Sequence, residues 1–158
     1  MEDDTSTVSN DPESPTSLAR VAQLKLLGNQ AFRDGDYENA VTQYTAALDV
    51  AQSDRHLLLS NRSYAHVKLG NMEQALLDAD ACIVENPTWA KGYWRKIVVL
   101  RNRKQHADAV LVAEQGLIKV RSHRTSIIDV ADACYLECLR VAHKSHAGKP
   151  NPFCIISL

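Results

Sequence analysis

The chain has 158 residues, 45% of them apolar and 23% charged, with a net charge of −1, the balance of one globular domain long enough to bury a core. No apolar run approaches the roughly 20 residues a membrane helix needs, and the opening stretch MEDDTSTVSNDPESPTS lacks both the basic start and the apolar segment of a secretory signal. Neither a membrane span nor a secretory signal is therefore expected, and the default expectation is a cytoplasmic or nuclear location.

Residues 1–16 are expected to be a disordered acidic leader, because they are polar and almost free of large apolar groups. They carry Glu2, Asp3, Asp4, Asp11 and Glu13 and no Lys or Arg, which leaves the rest of the chain with an excess of about four basic residues. That bias falls well short of the basic patches of nucleic-acid binders, and it suits an acidic peptide. From Leu24, the apolar residues Leu24, Leu27, Ala31 and Phe32 recur at helical spacing,. Asp34-Gly35-Asp36 marks a turn, and Tyr37, Ala40, Val41, Tyr44 and Leu48 form a second stripe. Another helix pair turns at Gly70-Asn71 and stops at Asn86-Pro87, where proline cannot continue a helix and biases the residue before it toward extended backbone.

The third pair departs from this pattern. Its turn, Asn102 to His106, has no glycine, and Gly116 stands inside a helix where the earlier pairs have Ala47 and Cys82. Glycine there costs about 0.5–1 kcal/mol relative to alanine, so close packing is expected at that point. Residues 122–145 are expected to form a seventh, capping helix, with Ser126 at its start and an apolar face that includes Ile127, Val130, Cys134, Tyr135, Cys138 and Leu139. The tail, 146–158, contains Gly148, Pro150 and Pro152 and is expected to be flexible. Cys154 lies fifth from the end rather than fourth, so no prenyl group is expected.

The three segments align with one another. Ala40, Ala75 and Ala109 are spaced by 35 and 34 residues, as are Gly28, Ser63 and Ile97. A helix–turn–helix unit of about 34 residues is the tetratricopeptide repeat (TPR) period, and a small residue recurring in the second helix of each unit fits helices crossing at about 8–10 Å. The predicted fold is all-α: a TPR superhelix of three helix–turn–helix repeats, about 21–55, 56–89 and 90–121, within a domain from 17 to 121, closed by the capping helix because a stack leaves its last pair half exposed.

The stretches LKLLGNQAF, LLLSNRSYAHVKLG and NPTWAKGYWRK resemble the carboxylate-clamp TPR domains of heat-shock chaperone cofactors, the stress-inducible organising proteins above all, over roughly residues 20–121. The resemblance implies a concave groove lined by the first helix of each repeat. It implies that this groove binds the C-terminal Glu-Glu-Val-Asp of cytosolic heat-shock chaperones of the seventy- and ninety-kilodalton classes. Matched motif by motif, the carboxylate-binding residues are Lys25 and Asn29 from the first repeat, Asn61 from the second, and Lys91 and Arg95 from the third.

Side-chain chemistry agrees with these roles. Lys25 and Asn29 are four residues apart on one helix face, as are Lys91 and Arg95. Two cations at that spacing repel each other on an isolated helix, which suggests an anion between them. Lysine and arginine offer charge-assisted hydrogen bonds and asparagine amides add directed donors. Both Lys91 and Arg95 are expected on the exposed concave face, and Lys68, outside the motif, is expected to matter little. The competing reading is a TPR scaffold for an unrelated acidic C-terminal peptide or protein partner. A third, an enzyme, would need a further domain of the kind fused to some clamp proteins, such as a phosphatase or prolyl isomerase. No phosphate-binding loop, Ser-His-Asp set or carboxylate pair is recognisable. No cofactor, metal or small-molecule substrate is expected, since Cys82, Cys134, Cys138 and Cys154 lack zinc-site spacing. The Asn61-Arg62-Ser63 sequon falls within a predicted helix, so no glycan is expected on it.

Overall fold

A computed structural model describes residues 15–121; the expected disordered leader before Pro15, the capping helix and the tail lie outside the described residues. Six helices follow one another: α1 Pro15–Arg33, α2 Tyr37–Val50, α3 Arg55–Leu69, α4 Met72–Glu85, α5 Ala90–Asn102 and α6 His106–Arg121. No strand occurs among the described residues, in keeping with the all-α expectation. α1 begins two residues inside the stretch expected to be disordered, with Pro15 in its first position, where the missing N–H would have had no intrahelical partner.

The three turns within the pairs share one backbone geometry. Asp36, Asn71 and Gln105 each donate their N–H to the carbonyl five residues earlier, on Ala31, His66 and Leu100, at 2.9 Å. The residue before each lies in the left-handed region: Gly35 at φ 82°, Gly70 at φ 80° and Lys104 at φ 63°. This arrangement satisfies carbonyls left open at a helix end. Glycine is suited to it in the first two turns; in the third, a lysine adopts the same backbone against its own preference. Pro87 ends the second pair as expected, with α4 stopping at Glu85 and Asn86 out of the helical region at φ −143° and ψ 86°.

Ala40 and Ala75 are fully buried and Ala109 nearly so, which explains their recurrence: a larger side chain there would hold the paired helices apart. Two of the repeats fill one pair of equivalent positions with different side chains. The first repeat sets Gly28 against Tyr44, and a β-carbon on Gly28 would lie 2.6 Å from the tyrosine ring. At the equivalent positions the third repeat has Ile97 and Ala113, both buried in one cluster. The glycine at 116 has the packing reason expected of it, since a β-carbon there would meet the Tyr93 ring at 2.9 Å.

Each helix packs on its successor, and in addition α1 touches α3 and α3 touches α5, whereas α2 does not touch α4, nor α4 α6. A stack whose odd helices approach more closely than its even ones must curve toward the odd side. The concave face is therefore built from α1, α3 and α5.

Candidate functional site

All five residues singled out in the sequence lie on the odd helices. Lys25 and Asn29 are on α1, Asn61 on α3, and Lys91 and Arg95 on α5. Two of them are in direct contact: Asn61 Nδ2 donates to Asn29 Oδ1 at 3.2 Å. The same Asn29 oxygen accepts the Tyr44 hydroxyl at 2.8 Å. Lys25 lies one turn before Asn29 and is half-buried. No hydrogen bond or ion pair joins it to the other four.

Arg95 departs from the expectation of an exposed side chain. It is only 9% exposed, and its Nε donates to both the carbonyl oxygen and the hydroxyl of the fully buried Ser60, each at 3.1 Å. Its guanidinium carbon sits 4.3 Å from the centre of the Tyr64 ring, and Tyr64 in turn stacks on Phe32 at 5.4 Å. Phe32, Tyr64 and Arg95 thus form a pile that crosses α1, α3 and α5. The reason is physical: a guanidinium is planar and weakly hydrated, so it tolerates burial against an aromatic face better than an ammonium would. Nε is committed to Ser60, and neither terminal nitrogen has a hydrogen-bond partner among the described residues. Lys91 is exposed as expected, its Nζ 5.8 Å from the Trp89 ring centre. Lys68, expected to stand apart, lies 5.4 Å from the same Tyr64 ring that carries Arg95.

Some basic side chains of the described residues have acid partners and some do not. Arg55, Arg62, Lys96 and Arg103 each pair with an acid, on Glu85, Asp78, Asp80 and Glu73 respectively. Among the described residues no acid pairs with Lys25, Lys91 or Arg95. Burial holds Arg95 below the usual arginine range, opposed only by Tyr64, Cys82 and Tyr44. Lys91 is likewise lowered, first by burial and then by Arg95. Both shifts run the way that partial desolvation drives a cation with no acid beside it. The nearby Cys82 thiol is pushed up to about 11 by burial and donates to the His56 carbonyl at 3.3 Å, so it is a packed core thiol rather than a nucleophile. Among the described residues, no group of three His, Cys, Asp or Glu side chains is placed to hold a metal ion. No helix there is long and apolar enough to cross a membrane.

Sequence reasoning did not single out Ser60, or Tyr44 as a partner of Asn29. A signal for Tyr44 was present, since the equivalent positions in the other repeats are Ala79 and Ala113. A tyrosine in a place otherwise reserved for alanine needs both extra room and a hydrogen-bond partner. The pair Arg62 and Asp78 was also missed. Arg62 Nε and Nη2 donate to the two Asp78 oxygens at 2.8 and 2.7 Å, and Nη1 donates to Thr45 Oγ1 at 3.0 Å. This two-pronged pair joins α3 to α4 beneath the groove.

No protein-family model matches the chain. Heat shock protein STI1 of Saccharomyces cerevisiae is 41% identical over 73 residues, which is 46% of this chain and 12% of that protein. Hsp70-Hsp90 organizing protein 2 of Arabidopsis thaliana is 35% identical over 125 residues, 79% of this chain and 21% of that protein. The chain therefore spans only a small part of these relatives. Among solved structures, the TPR2AB-domain:pHSP90 complex of yeast Sti1 matches with a TM-score of 0.69 and 25% identity, covering 80% of this chain and 48% of that one. The six described helices form a tetratricopeptide-repeat fold, and the chain is similar over much of its length to short stretches of the Hsp70–Hsp90 organising proteins.

Proposed function

We propose that the concave face of α1, α3 and α5 binds the free C-terminus of an acidic peptide, and that its natural ligand is the Glu-Glu-Val-Asp tail of a cytosolic heat-shock chaperone. On this reading the chain is a co-chaperone or adaptor of the cytoplasm that acts by binding rather than by catalysis. The observation that carries the proposal is Arg95: an arginine residue only 9% exposed, anchored through Nε, with no acid partner among the described residues. Removing a charge from water without a counter-ion is costly, and a ligand carboxylate would supply what is missing.

A terminal aspartate offers two carboxylates close together, its side chain and its chain end. Arg95 and Lys91 would take charge-assisted hydrogen bonds from one side of the groove, and Lys25 with the linked amides of Asn29 and Asn61 from the other. The similar TPR2AB domain of yeast Sti1 was solved in complex with pHSP90, which supports the same class of ligand.

The test is fluorescence anisotropy with a labelled peptide ending in Glu-Glu-Val-Asp. Lys91→Ala and Lys25→Ala should each weaken binding by about tenfold, the lower end of what a charge-assisted hydrogen bond contributes, since both side chains keep some contact with water. Lys96→Ala, which removes a lysine already paired with Asp80 at 2.6 Å, should leave affinity unchanged. Folded Lys91→Ala and Lys25→Ala proteins that bind like the parent would refute the groove reading.

A further inference from the structure

The amide of Asn29 is held by a group from outside the groove. Tyr44 belongs to α2, on the convex side, yet its hydroxyl reaches through the first repeat to Asn29 Oδ1. It can do so because position 28 is glycine: the ring occupies the space where a β-carbon would lie, at 2.6 and 2.8 Å from two ring carbons. Tyr44 is 2% exposed, so no water competes for its hydroxyl. Burial raises the phenol above its ordinary range, against the smaller opposing effects of Arg33 and Arg95, which keeps it a protonated donor.

Asn29 Oδ1 also accepts from Asn61 Nδ2. Two donors thus meet on its oxygen and hold the amide in this orientation, and Asn29 Nδ2 has no acceptor among the described residues. Asparagine otherwise presents oxygen or nitrogen with nearly equal ease, and an oxygen turned into the groove would repel a carboxylate.

We propose that Tyr44 is a positioning residue for anion binding: its hydroxyl fixes the Asn29 amide so that Nδ2 rather than Oδ1 faces the ligand. This rests on the reading of the groove given above and adds to it a residue on the opposite side of the repeat. Gly28 and Tyr44 then act as a unit, the glycine admitting the ring and the ring delivering the hydroxyl.

Tyr93 is the natural comparison. It is also buried, 6% exposed, and also gives its hydroxyl to an oxygen at 2.8 Å, the Pro87 carbonyl, but it touches none of the five groove residues by hydrogen bond. Tyr44→Phe and Tyr93→Phe each delete one hydroxyl and leave the ring in place, so a purely structural role predicts similar losses of stability and no loss of affinity in either folded protein. The experiment is isothermal titration with a synthetic peptide ending in Glu-Glu-Val-Asp with a free carboxyl terminus. Tyr44→Phe should weaken binding by about three- to tenfold, the effect of one neutral hydrogen bond, and Tyr93→Phe should not. In an Asn29→Ala background, Tyr44→Phe should cause no further loss, because the group it orients is gone. If the parent binds and Tyr44→Phe binds as tightly, or if its loss is undiminished in Asn29→Ala, the positioning role is wrong while the groove reading stands. A parent that does not bind the peptide at all refutes both.

Discussion

Replacing Arg62 by alanine should strip Asp78 of its strongest partner among the described residues. Asp78 is 6% exposed and holds Arg62 through two hydrogen bonds of 2.7 and 2.8 Å; a third ties Arg62 to Thr45. Removing one member of a buried pair costs about 3–5 kcal/mol, because the remaining charge is left unpaired. The Arg62 side chain keeps 21% of its exposure, so water can partly reach the vacated space, and the lower end, about 3 kcal/mol, is expected. For a chain of this size that lowers the melting temperature by about 6–12 °C. His66 makes the effect depend on pH. Its Nε2 lies 4.0 Å from Asp78 Oδ2. Burial lowers its pKa below 6.5, with Asp78 opposing and Arg62 adding to the depression. In the parent, the folded state therefore binds the His66 proton less readily than the unfolded state. Its contribution is present above pH 6.5 and is lost as pH falls through the lower folded value. Without Arg62 the Asp78 carboxylate acts on His66 unopposed, the imidazole protonates more readily, and it replaces the missing cation. Urea unfolding followed by circular dichroism should show a deficit for Arg62→Ala that is largest at pH 7.5 and narrower at pH 5.5. A deficit below about 1 kcal/mol at pH 7.5, roughly a third of that expected for a broken buried pair, or one that widens on acidification, would refute the reasoning.

Lys104→Gly should raise stability by about 0.5–1 kcal/mol in the same assay, since it restores glycine to a turn whose equivalents are Gly35 and Gly70,. Gly28→Ala should lower stability by about 1–3 kcal/mol, because the overlap with the Tyr44 ring outweighs the gain in helix propensity; a neutral result would show that the ring can move. Arg95→Ala should lower both stability and peptide affinity, since it leaves the Ser60 acceptors buried without their donor,. Lys91→Ala, being exposed, should lower affinity alone; thermal melts run alongside the titrations separate the two.

The fold was legible in the sequence because the repeat writes the same message three times. Ala40, Ala75 and Ala109 mark the helix crossings, and Gly35, Gly70 and Pro87 mark turns and stops. Lys104 shows the limit of that reading: the turn geometry persists in the third repeat without the residue that usually announces it. The five groove residues came from the resemblance of their motifs to clamp domains, and the repeat spacing put those motifs on the odd helices. Spacing tells which face of a helix a side chain occupies but not how deep it lies, so the burial of Arg95 was not legible. Its depth depends on Ser60 and Tyr64, which come from another helix. The same holds for Arg62 with Asp78 and Tyr44 with Asn29, sixteen and fifteen residues apart. Neither separation matches a helical period, and only the packing of whole helices brings these side chains together.

The central claim is that the α1, α3 and α5 face recognises a chain-terminal carboxylate. Calorimetric titration of the full chain with two otherwise identical peptides ending in Glu-Glu-Val-Asp, one a free acid and the other C-terminally amidated, tests it most directly. The free acid should bind at least about tenfold more tightly, by the loss of one charge-assisted contact, with the difference shrinking as salt is raised because the groove is open to screening. Equal affinities for the two peptides, or binding of neither, would contradict the claim.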